Sequence, residues 1–254
     1  MRVATTPSTK SPDTPMNFRL HAAILCLLTL VSCEKETRSA AKPATPIEDD
    51  LVKKDTPILP IKPGDYWKYE VKLEIPPGVA LEGAPEAGAE REKTRTYLGK
   101  LSPKAGLPEV DAFDVQVPGQ ALEREFVEIF DDRIMMRGNQ YPDTPNADLV
   151  WLKVPIPFAV AGMRPGMESR QEGLYDETTT RNVKVVAREM VEVPAGSFEC
   201  LRLLMVGSDG EFQIRRTTWF APGIGIVKVE KMRYAGEKLL FRETTSLRET
   251  NLRR

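Results

Sequence analysis

Tyr66-Trp67-Lys68-Tyr69-Glu70-Val71-Lys72-Leu73-Glu74-Ile75 alternates without a break. Trp67, Tyr69, Val71, Leu73 and Ile75 fall on one face, and Lys68, Glu70, Lys72 and Glu74 on the other. A period of two sustained this long predicts a β-strand with one face buried. Lys62-Pro63-Gly64-Asp65 reads as the turn that launches it, and Pro76-Pro77-Gly78 as its end.

Further strands are predicted on both sides of that anchor. Residues 92–101, 110–117, 122–130 and 134–137 carry strand patterns, with Asp131-Asp132 as a hairpin turn and not a metal site. Residues 138–148 read as irregular. Residues 149–158 are apolar but contain Pro155 and Pro157, which cannot donate to a ladder, so an edge strand is expected. Arg164-Pro165-Gly166 echoes Lys62-Pro63-Gly64 and hints at a second half built like the first. In that half, residues 178–192, 198–206, 211–220, 226–233 and 239–247 alternate with turn signals at Val193-Pro194-Ala195-Gly196, Asp209-Gly210, Ala221-Pro222-Gly223 and Ala235-Gly236. The fold class predicted is mainly β: one curved antiparallel sheet, a half-barrel-like meander with few helices, over residues 58–250. Residues 198–206 are apolar on both faces, which requires cover on both sides or a sheet curved round an apolar cavity.

Composition excludes much chemistry. The one histidine is His21, and it precedes the predicted mature chain. Without an imidazole, serine or cysteine triads and histidine-ligated metal sites are excluded. Of the three cysteines, Cys26 and Cys33 lie near the N-terminus and Cys200 sits in a strand pattern, so no intramolecular disulfide is expected. Cys200 reads as a buried, inert thiol. Residues 1–32 contain three basic side chains and one acidic one, so 33 basic face 36 acidic side chains from Cys33 onward. That balance gives no basic stripe for nucleic acid. Acidic residues on the strands read as a solvated outer face, and neither cofactor nor metal is expected.

The N-terminal region sets location. Arg19 precedes an apolar run ending in Leu30-Val31-Ser32-Cys33, too short to span a bilayer, which needs ~20 apolar residues. The layout resembles a bacterial lipoprotein signal. It implies a signal peptide over residues 1–32, with translation expected to start at Met16, and lipid attached to the Cys33 sulfur. Residues 33–57 are charged, rich in alanine and proline and free of aromatics, which predicts a flexible tether. Glu34, where an aspartate would signal inner-membrane retention in enterobacterial lipoproteins, implies the outer membrane facing the periplasm.

Pro194-Ala195-Gly196-Ser197-Phe198 and Trp219-Phe220-Ala221-Pro222-Gly223-Ile224-Gly225-Ile226-Val227 resemble a pattern of uncharacterised bacterial envelope lipoproteins and periplasmic proteins. The resemblance implies a curved antiparallel sheet, similar in shape to the LolA/LppX half-barrels that hold acyl chains. From it, and from the two-faced strand, Trp67, Tyr69, Phe198, Trp219 and Phe220 are the candidate ligand-binding residues. The function expected is a non-enzymatic, membrane-anchored lipoprotein that binds a lipid, another apolar ligand or an envelope partner protein. A purely structural envelope protein and a histidine-independent carboxylate hydrolase are the alternatives.

Overall fold

A computed structural model describes residues 57–252 except 80–87, 89, 145–148, 173–179 and 210. All lie in the unit Pro46–Arg254. The signal peptide, Cys33 and all but the last residue of the tether fall outside the described residues.

Among the described residues, twelve antiparallel strands form one sheet. They are β1 (Tyr66–Glu74), β2 (Glu90–Leu101), β3 (Val110–Gln116), β4 (Glu123–Ile129), β5 (Arg133–Gln140), β6 (Leu149–Val160), β7 (Glu168–Glu172), β8 (Thr180–Val193), β9 (Gly196–Asp209), β10 (Phe212–Ala221), β11 (Gly225–Ala235) and β12 (Lys238–Thr250). No helix occurs among the described residues. The order across the sheet is β6-β5-β4-β3-β2-β1-β12-β11-β10-β9-β8-β7. Two six-stranded meanders therefore meet where β1 pairs with β12. The predicted alternation of β1 holds, with Trp67, Tyr69, Val71 and Leu73 buried.

The sheet cannot be flat. β6 and β7 are its opposite edges, yet only residues 161–167 connect them. Eleven inter-strand steps of about 4.8 Å would separate flat edges by about 53 Å. Seven linking residues reach about 29 Å at most. The sheet must roll, and it does: the rings of Phe158 on β6 and Phe220 on β10 stand edge-to-face with centroids 5.8 Å apart. The main core draws Trp67, Phe113, Val127, Val185, Phe220 and Leu247 from strands all along the sheet, and smaller clusters form around Phe126 and around Leu152.

The Pro-Gly echo is structural. Gly64 N–H donates to Tyr97 O at 2.8 Å, and Tyr97 N–H returns to Asp65 O at 2.8 Å. In the second half Gly166 N–H donates to Val185 O at 2.9 Å, and Val185 N–H returns to Met167 O at 2.8 Å. A bulge follows each clasped residue, between Tyr97 and Gly99 in β2 and between Val185 and Ala187 in β8. A second matched pair falls between Phe126 and Val127 in β4 and between Trp219 and Phe220 in β10. The second half thus begins at the Arg164-Pro165-Gly166 turn, where the echo placed it, but its first strand is the unforeseen β7, ahead of the hairpins expected from residue 178. The chain enters between the halves. Ile58 N–H donates to Asp131 O at 2.8 Å, and Ile58 O accepts from Gly223 N–H at 2.9 Å.

Two expectations need correction. Residues 138–140 continue β5 and are not irregular, because Gly138 lets the β6 backbone approach closely. Strand charges also do not all face outward: Glu125 and Arg95 sit on the inner face, where an ion pair offsets part of their desolvation. β6 is an edge strand as expected, and its register skips across residues 152–155, where Pro155 falls.

Candidate functional site

Strand phase decides what lines the inside. On β2, Tyr97, Arg95, Lys93 and Arg91 alternate inward, with Arg95, Lys93 and Arg91 in register with Trp67, Tyr69 and Val71 of β1. On β4 the matching face carries Val127, Glu125 and Glu123, and on β10 it carries Phe220, Thr218 and Arg216. On β11 and β12, Lys231 and Glu243 stand opposite one another.

The interior therefore changes character along the strands. At one end it is packed by Ile58, Trp67, Phe113, Phe220, Ile224 and Leu247, all almost fully buried. Trp67 Nε1–H donates to Ile224 O at 2.7 Å, and Tyr69 O–H donates to Ile226 O at 3.1 Å. Midway, Arg95 pairs with Glu125 at 2.8 Å while its guanidinium lies 3.6 Å from the Phe113 ring centroid. Burial alone would raise the Glu125 carboxyl, but Arg95, Lys93 and Arg216 together hold it below the ordinary carboxylate range. Burial raises the Tyr69 hydroxyl, so it stays protonated as a donor.

Two apolar cavities and two polar clefts stand out among the described residues; the larger cleft, about 390 Å³, lies near the β7 edge between Arg170, Arg181, Asn182, Ser208 and Gln213. The first cavity, about 50 Å³, is lined by Phe113, Val127, Ile134, Phe158, Phe220 and Arg216 among others. The second, about 70 Å³, lies where Ile156 and Phe158 face Val183, Leu203, Met205 and Arg216. Both are far below the ~300 Å³ at which ligand pockets begin. The cleft between the two meanders, about 320 Å³, is lined by Arg91, Lys93, Lys231, Glu123, Glu243 and Tyr141, with Val71, Val115 and Val117 as its apolar patch.

Of the aromatic residues expected to bind a ligand, Phe220 lines a cavity. Trp67, Tyr69 and Phe198 are buried in the packing, as is Cys200. Trp219 lines none of these spaces. Its Nε1–H donates to Glu189 at 2.7 Å, and Lys228 lies 5.1 Å from its ring centroid. The two-faced apolar strand is covered on both sides at Phe198, Cys200, Leu201 and Leu203. The turn before it reaches β12, where Ala195 N–H donates to Leu247 O at 3.0 Å.

Sequence reading missed the inward cations. Residues 90–96, Glu-Arg-Glu-Lys-Thr-Arg-Thr, are polar on both faces and offer no apolar contrast to show which side turns in. The available signal was Tyr97: counting back by twos from it selects Arg95, Lys93 and Arg91.

A protein-family model described as DUF3108-like matches residues 162–240, which is most of the second half. No curated protein matches the chain significantly. Two solved structures are similar. One is a Parabacteroides distasonis protein provisionally described as a lipoprotein, with 12% identity, a TM-score of 0.41, and coverage of 78% of this chain and 100% of that one. The other is a Bacteroides fragilis protein provisionally described as exported, with a YmcC-like fold. It shows 17% identity, a TM-score of 0.42, and coverage of 76% and 98%.

Proposed function

We propose that this is a non-enzymatic binding protein of the bacterial cell envelope, anchored by lipid on Cys33 in the outer membrane and facing the periplasm. Its concave face receives a ligand at the cleft bounded by β1–β4, β11 and β12. The observation that carries the reading is the cleft itself: about 320 Å³ of space lined by inward-facing side chains, beside interior cavities of only about 50 and 70 Å³. Space of that size, lined by charges and a few valines, suits a ligand with a polar head.

Storage of a whole acyl chain, as in the LolA/LppX half-barrels, is disfavoured. The apolar cavities of about 50 and 70 Å³ hold only a few methylenes without the sheet opening. The lipobox supports the anchor, because a thiol after small residues at the end of a short apolar run is the acceptor for diacylglyceryl transfer. An envelope partner protein would use the same open face.

Native mass spectrometry of the full chain recovered from bacterial membranes tests both parts. The expected spectrum shows a chain beginning at Cys33 with a covalent lipid increment and, under gentle conditions, a further non-covalent mass. An unlipidated chain would overturn the anchor. A lipidated chain that never carries added mass would favour a purely structural envelope protein.

A further inference from the structure

The cleft has a charge imbalance that the fold alone does not explain. Arg91, Lys93, Arg216 and Lys231 all face the interior, and none makes a side-chain hydrogen bond or ion pair among the described residues. The Nε atoms of Arg91 and Arg216 are shielded from solvent and have no acceptor. Arg216 and Lys231 stand directly opposite each other on neighbouring strands, an arrangement that costs stability for like charges. Two carboxylates oppose the four cations: Glu123, which accepts from Asn139 Nδ2–H at 2.9 Å, and Glu243, across from Lys231. Glu125 is already committed to Arg95. Two positive charges remain uncompensated in a half-enclosed space.

The titration behaviour agrees. Burial pushes Lys231 below the ordinary lysine range, and Arg216, Arg233 and Lys93 push it further against the pull of Glu243. Burial likewise lowers Arg216. A buried cation without a counter-charge is costly, and a surface position for the same residue would cost nothing.

We infer that the cleft is an anion site, in which Arg91, Lys93 and Lys231, with Arg216 behind them, hold a phosphate or carboxylate group. The inference rests on the binding function proposed above and names its ligand class. Two guanidiniums supply forked donors suited to paired oxygens, and two ammoniums supply point charge. Val71, Val115 and Val117 beside the cations would meet the first carbons attached to that group. Such an anion is either a small solute or the head of a lipid.

Calorimetric titration of the full chain in neutral detergent tests this, using inorganic phosphate, dihexanoyl phosphatidic acid and neutral dihexanoylglycerol as probes. Binding of phosphate identifies a site for free anions. Binding of the phosphatidic acid alone identifies a lipid head. Either is expected to weaken about ten-fold or more in Lys231→Met and in Lys93→Gln. Lys68→Gln, on the outer face beside Glu249, should leave binding unchanged. If dihexanoylglycerol binds as tightly as the phosphatidic acid, the anion assignment falls while the binding function stands. If no probe binds, both fall.

Discussion

Tyr97 and Val185 occupy the same place in the two halves of the sheet, each clasped by a Pro-Gly turn and each followed by a bulge. The clasping glycines, Gly64 and Gly166, have φ of 92° and 96°, with open space where a Cβ would stand. Alanine at either position therefore costs only backbone strain, about 1–2 kcal/mol. The two costs should be similar and additive, read as shifts in the urea midpoint. At Gly138 the outcome differs, because a methyl group there overlaps the Val150 carbonyl oxygen. Gly138→Ala should detach β6 and lower stability well beyond either of the others.

The roll of the sheet is tested by coupling. Phe158 and Phe220 touch across seven intervening strands, so a flat or differently rolled sheet would separate them. A double-mutant cycle on Phe158→Ala and Phe220→Ala should return about 0.5–1.5 kcal/mol of interaction. Phe220→Ala alone should cost about 3–5 kcal/mol, since that ring is 1% exposed. Coupling indistinguishable from zero would mean that the edges do not meet this way.

Acid stability should depend on Glu125. Its carboxyl titrates below the ordinary value in the folded protein, so the unfolded chain binds more protons as pH falls. The stabilisation is fully present above about pH 4.3 and is lost as pH drops through the folded value. Glu125→Gln should destabilise the protein at pH 7 by about 2 kcal/mol or more, because Arg95 is left without its partner. The gap between variant and parent should close toward pH 3 in urea titrations. A gap that stays constant with pH would remove the ion pair from the account.

Legibility in the sequence followed contrast. In β1 the apolar face alternates with charges, so Trp67, Tyr69, Val71 and Leu73 could be placed inside at once. β7, Glu-Ser-Arg-Gln-Glu, has no apolar residue at all and gave no strand signal. Bulges add a further obstacle: between Tyr97 and Gly99 in β2, and at Val227 in β11, the phase shifts by one residue. On β10 plain alternation turns Phe220, Thr218 and Arg216 inward, so Phe220 reaches the cavity while Trp219 faces the other way and bonds to Glu189. The aromatic residues chosen from sequence were mostly core. The groups that give the cleft its charge were lysines and arginines, which a linear reading assigns to solvent by default.

Arg216 is a guanidinium held inside the fold with no side-chain hydrogen bond or ion pair among the described residues. The most direct measurement is the melting temperature of Arg216→Met against the parent chain, with and without added phosphate. Removing an uncompensated internal charge should raise the melting temperature in phosphate-free buffer and abolish the phosphate-dependent rise expected of the parent. A variant that melts lower than the parent without phosphate, and still gains the same increment with it, would contradict the account.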